Sequence, residues 1–206
     1  MNRLLLTVAL LLPLCAQAAT DTTAASGPTA PISALDAGLT ATIKASTTKS
    51  FPARFAALAP IVDHSFDLAT ILRVVVGLRW ATLPADQQMS LLSVFRAYTV
   101  AQYVSNFSNA SGTSFAILPE QRSVGTDVVV ETQIVPASGD PTRIDYVVRM
   151  EADGWHAVDV LLEGTISQAA VQRSDFRSFV DEGNATRLIA SLKQKVSDLS
   201  GGTVQG

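Results

Sequence analysis

The chain has 206 residues, enough for one domain with a sizeable core, and a formal net charge of −3 with only 16% charged residues. It has no basic stripe for nucleic acid and no Lys/Arg-rich amphipathic helix, so contact with membranes is expected to be indirect. The single cysteine, Cys15, lies in the leader, which excludes a disulfide, thiol catalysis and a cysteine metal site from the mature chain.

Met1-Asn2-Arg3 is a short basic region, Leu4 to Leu14 is apolar, and Ala16-Gln17-Ala18 fits the small-x-small rule for signal peptidase. The apolar run is shorter than the roughly 20 residues a membrane anchor needs. Leu14 and Pro13 do not supply the small residue that lipidation of Cys15 requires. Residues 1–18 are therefore read as a cleavable signal peptide of bacterial type, which places the mature chain in the periplasm. Residues 19–32, rich in Thr, Ala, Ser, Gly and Pro, read as a flexible leader. A domain over 33–199 and a disordered Gly-rich tail over 200–206 complete the division.

Leu35, Leu39 and Ile43 recur at helical spacing, with Ser33 or its neighbours as cap. Phe51-Pro52 restarts the chain, and Phe55, Leu58, Ile61 and Val62 predict a turn or two of helix interrupted at Pro60. Asp67 caps a helix through Ile71 and Val75 that ends at Gly77. Pro84-Ala85-Asp86 opens the longest helix, whose wide apolar face includes Leu91, Phe95, Tyr98, Tyr103 and Phe107. From Ser114 the period becomes two: a short strand to Pro119, a strand over 126–135, a turn at Ser138-Gly139-Asp140-Pro141, then two strands joined at Ala152-Asp153-Gly154. On the first of these Ile144, Tyr146, Val148 and Met150 share a face. On the second, Trp155, Ala157 and Leu161 are assigned to one face and Val158, Val160 and Leu162 to the other. Ser167 and Asn184 cap two closing helices. The order is helices, an antiparallel meander and helices again. It predicts an α+β domain of NTF2-like or cystatin-like plan, with helices packed on a curved four-stranded sheet and an apolar cavity between the layers.

Catalytic signals are sparse. No nucleophile elbow, phosphate loop or H-E-x-x-H motif occurs. His64 and His156 make a poor metal pair, so neither a metal nor a cofactor is expected. Asp63, His64 and Asp67 read as caps and a solvated corner. Asp159, on a strand that otherwise reads as buried, is either a general base or a structural acid paired with Arg143 or Arg149, and the structural reading is preferred because no group to polarise a substrate accompanies it. Glu131 is placed to pair with Arg143 or Arg149.

These pieces resemble the MlaC, or toluene-tolerance, family of periplasmic phospholipid carriers. The resemblance rests on Phe66-Asp67, Gly77-Leu78-Arg79-Trp80, Phe95-Arg96 with Tyr103, and Arg143-Ile144-Asp145-Tyr146. The sharpest stretch runs from Gly154 to Gly164 in a G-W-x-x-x-D-x-x-x-E-G pattern, with Arg173-Ser174-Asp175-Phe176 after it. It implies a non-catalytic monomer that binds one phospholipid, or a hopanoid-type lipid if it belongs to the HpnM branch. It also implies shuttling between an outer-membrane lipoprotein complex and an inner-membrane MCE-domain ABC transporter. Alternation and helical spacing assign the cavity lining to Val128, Val130, Tyr146, Val148 and Val160 of the sheet, with Ile71, Val75, Phe95 and Tyr103 of the helices. Two other readings remain: an enzyme of the same architecture using Asp159 as base, and a module that bridges envelope proteins around a filled core.

Overall fold

A computed structural model of the chain describes residues 27–206, so the signal peptide assigned to 1–18 and the leader up to residue 26 lie outside it. Helices α1 (Ala30–Lys44), α2 (Phe51–Ser65), α3 (Leu68–Val76) and α4 (Ala85–Asn106) come first. The strands follow: β1 (Ser114–Val124), β2 (Asp127–Val135), β3 (Thr142–Glu151), β4 (Gly154–Leu162) and β5 (Ile166–Ser167). Helices α5 (Gln168–Phe176) and α6 (Thr186–Ser200) close the chain. The strands form one antiparallel meander in the order β1-β2-β3-β4-β5. The sheet thus has five strands, not the expected four: β5 is a two-residue strand after Gly164, too short to leave an alternation in the sequence.

Local chemistry explains most boundaries. Asp67 accepts from the Thr70 amide and caps α3, and Ser167 accepts from the Ala170 amide and caps α5. Gly77 ends α3 with φ of 68°, a conformation in which a side chain is strained. Two expectations built on proline are corrected. Helix α2 runs straight through Pro60, because Leu58, Ala59 and Val62 are buried and that packing outweighs one lost backbone hydrogen bond. Strand β1 likewise continues past Pro119, which falls in the register shift between Ile117 and Gln121, where a residue without an N–H is tolerated. Helix α1 starts at Ala30, three residues before Ser33, with Pro31 in its first turn. In the C-terminal segment Ser200 Oγ accepts from the Val204 amide, and Val204 packs on the core.

The alternation assigned to β4 is also corrected. Val148 pairs with Ala157 but Val147 pairs with Asp159, which leaves Val158 as the extra residue of a bulge. The bulge puts Ala157 and Val160 opposite Val148 and Tyr146, on one face, and Leu161 opposite Asp145 on the other. The first face packs on the helices. Val130, Tyr146, Val148 and Ala157 join Leu35, Leu39, Val62, Leu72 and Phe95 in a single core. Beside the bulge, the Asp67 amide donates to the Ala157 carbonyl at 3.0 Å, which ties the α2–α3 junction to the sheet.

The opposite face is polar around a buried acid. Asp145, with its side chain fully buried, accepts from Arg143 at 2.9 Å and lies 3.6 Å from Arg122. Arg143 also reaches Glu131 at 2.6 Å, the pairing expected from cross-strand position, while Arg149 pairs with Asp127 at 2.7 Å. A Cβ on Gly164 would stand 2.8 Å from Arg143 Nε, so the glycine leaves room for this cluster, and its φ of 71° turns the chain from β4 to β5. The G-W-x-x-x-D-x-x-x-E-G pattern therefore records a hairpin turn, a helix-anchoring acid and this left-handed corner.

Candidate functional site: a cavity between sheet and helices

Helix α4 presents Phe95, Thr99, Gln102, Tyr103 and Asn106 on one face, since positions three and four apart are neighbours on a helix. That face bounds a cavity of about 190 Å³ together with Leu68 and Ile71 of α3, Asp159 and Val160 of β4, and Gln168, Ala169 and Gln172 of α5. Phe66, from the α2–α3 junction, closes the remaining wall. The lining is divided: Phe66, Leu68, Ile71, Phe95, Tyr103, Val160 and Ala169 are apolar or aromatic. Thr99, Gln102, Asn106, Gln168 and Gln172 carry uncharged polar groups, and Asp159 is the one acid.

Of the nine residues assigned to a cavity from the sequence, Ile71, Phe95, Tyr103 and Val160 border this space. Val75 lines a second cleft further along α3. Val130, Tyr146 and Val148 are buried in the core, and Val128 packs against it; none of the four touches the cavity, because helices cover this part of the sheet. Sequence reasoning missed Phe66, Leu68, Ala169 and the polar group. A usable signal was present in the row Thr99, Gln102 and Asn106 beside Phe95 and Tyr103, and in Gln168 and Gln172 four apart.

Asp159 is not paired with Arg143 or Arg149. Its Oδ1 accepts from the amides of Val160 at 2.8 Å and Ala169 at 3.1 Å, and its Oδ2 accepts from Ser167 Oγ at 2.5 Å. The carboxylate thus anchors the first turn of α5 to β4, where the positive end of a helix dipole favours it. Asp63 makes a bidentate pair with Arg96 at 2.6 Å on the surface. His64 and His156, which looked unrelated in the sequence, stand side by side with ring centroids 6.3 Å apart. The His156 ring nitrogens already face the His64 carbonyl at 3.0 Å and Asp153 at 3.1 Å. No cluster of three or more His, Cys, Asp or Glu suited to a metal occurs among the described residues.

Behind the cavity wall Phe66 sits between two tyrosines, 6.0 Å from the Tyr103 ring and 6.3 Å from that of Tyr146. Burial pushes both phenols well above their ordinary value, and the charge of Asp36 on α1 adds to this. Burial likewise raises the Asp36 carboxyl from 3.8 to about 7. This acid on the inner side of α1 has no cation partner among the described residues.

Among the described residues no helix is long and apolar enough to cross a membrane. No curated protein matches the chain. In structure the chain is similar to a phospholipid-binding protein from Ralstonia solanacearum, solved in complex with a phospholipid, with a TM-score of 0.72 at 20% identity. That likeness covers 85% of this chain and 99% of the other, and it establishes a shared α+β fold. The family model described as MlaC protein matches residues 35–194, a span that contains every element from the middle of α1 to most of α6. The chain belongs to the MlaC family.

Proposed function

We propose that the mature chain is a non-catalytic periplasmic carrier that holds the acyl part of one phospholipid in the cavity between sheet and helices. It works as a monomer and moves its cargo between outer- and inner-membrane complexes; a hopanoid-type lipid is the alternative cargo. The observation that carries this reading is the cavity of α3, α4, α5 and β4, lined by apolar and aromatic side chains together with uncharged polar ones and the engaged Asp159. Family membership supports it, and so does the phospholipid named with the structural neighbour. The engaged oxygens of Asp159 argue for a structural acid rather than a base. Each methylene kept from water is worth about 0.8 kcal/mol, so a carrier of this kind needs apolar volume and no reacting group.

The volume sets a further condition. A cavity of about 190 Å³ is little larger than the ~150 Å³ that accepts a benzene, so it takes only part of one acyl chain. Loading a two-chain lipid therefore parts α4 and α5 from β4. Thr99→Trp, which fills the cavity from a half-buried helix position, is expected to cut lipid uptake from phosphatidylglycerol vesicles at least tenfold while the melting temperature stays within a few degrees. Undiminished uptake by a folded Thr99→Trp protein would place the cargo elsewhere.

A further inference from the structure

One helical turn beyond the cavity, where Val75 and Val76 follow Ile71 on α3 and Phe176 follows Gln172 on α5, the same two helices border a second cleft of equal volume, about 190 Å³. The floor of this cleft is apolar, from Val75, Phe176 and Val180, but its rim is cationic: Arg79, Arg173 and Arg177 all border it. In a chain of net charge −3, and among the described residues, none of these three arginines forms an ion pair with a carboxylate. Asp181, next to the cleft in sequence, stands 4.0 Å from Arg187 instead.

One of the three is held in place by hydrogen bonds, and a second lies against a glycine. Arg79 donates through Nη1 to the Arg177 carbonyl at 2.7 Å and to the Val180 carbonyl, which fixes the plane of its guanidinium and leaves its other N–H groups free. The Arg173 guanidinium lies over Gly77, where a Cβ would stand 3.2 Å from its Nη2. The same glycine that ends α3 thus makes room for the arginine. Guanidinium groups present N–H forks that match the oxygens of a phosphate, and these three border one cleft without an ion-paired carboxylate among the described residues. The cavity itself offers no cation among its lining residues.

We propose that the Arg79, Arg173 and Arg177 cleft is the subsite for the phosphodiester of the carried lipid, whose acyl part lies one turn away in the cavity. This rests on the carrier reading and adds to it a requirement for phosphate in the cargo. The exposed Leu78, 92% accessible at the edge of the cleft, then lies beside the glycerol or head group.

The test compares uptake of phosphatidylglycerol and of diacylglycerol with the same chains, each from neutral vesicles, by native mass spectrometry of the mature protein. The wild type is expected to favour the phospholipid at least tenfold. Arg173→Gln/Arg177→Gln, which leaves the backbone contacts of Arg79 intact, is expected to lose that preference while still taking up diacylglycerol. Equal uptake of both lipids by the wild type, or an unchanged preference in the double variant, overturns the subsite alone. Uptake of neither lipid by the wild type overturns the carrier reading and the subsite with it. Two further measurements separate the other sources of anion. Inorganic phosphate that binds at the arginines without weakening phospholipid uptake, in calorimetry of lipid-free protein, marks a free-anion site instead. A double variant that keeps its lipid preference but no longer sediments with anionic vesicles marks a membrane-docking face instead.

Discussion

Phe95→Ala is expected to lower the unfolding free energy of lipid-free protein by about 3–5 kcal/mol, the usual cost of removing a buried aromatic ring. Phe95 is 1% exposed and packs in the common core of helices and sheet, yet one edge borders the cavity. Its loss therefore removes transfer energy and joins a new void to an existing one. The same enlargement gives a lipid more room. Because a ligand that binds only the folded state stabilises it, saturation with phospholipid should recover more stability in the variant than in the wild type. Urea unfolding with and without lipid measures both effects. A loss under about 1 kcal/mol in lipid-free protein would show that the ring is not packed as described.

Asp36→Asn is expected to remove a pH dependence of stability. The wild-type carboxyl rises from 3.8 to about 7 on folding because burial disfavours its charge. With the folded value above the unfolded one, the acid's contribution is complete below about pH 4 and is lost as pH rises through about 7. Asparagine carries no charge at either end. The variant should match the wild type near pH 4 and exceed it near pH 8 by roughly 2 kcal/mol, a figure discounted for the solvent that reaches this half-buried side chain. Chemical denaturation at the two pH values reads the difference directly. A constant offset between the proteins at both values would mean that Asp36 does not titrate in this range.

The helices and the meander were readable in the sequence because their signals are local: period, caps and turn residues. Asp67, Gly77 and Ser167 sit where capping chemistry requires them. What escaped was set by distant contacts. Pro60 and Pro119 looked like breaks, but packing of α2 in one case and a bulge in the other absorbed them. Val158 broke the alternation of β4, and no residue in that run marks a bulge, so Ala157 and Val160 were assigned to opposite faces when they share one. The cavity was half readable for the same reason. Periodicity identifies an apolar face, as it did for Ile71, Phe95, Tyr103 and Val160. It cannot say which part of the face another element covers, and Val130, Tyr146 and Val148 proved to be covered. Asp159 shows the converse: its isolation among valines is legible in the sequence, but its partners, Ser167 and the Ala169 amide, lie at the start of a helix whose position the β4–β5 turn sets.

The most direct test of the carrier reading is native mass spectrometry of the mature protein purified from periplasm without detergent, with organic extraction alongside. A mass excess of one lipid per chain, extracting as a membrane phospholipid, is the expected result. A clean lipid-free mass, together with no uptake from phospholipid vesicles, would contradict it.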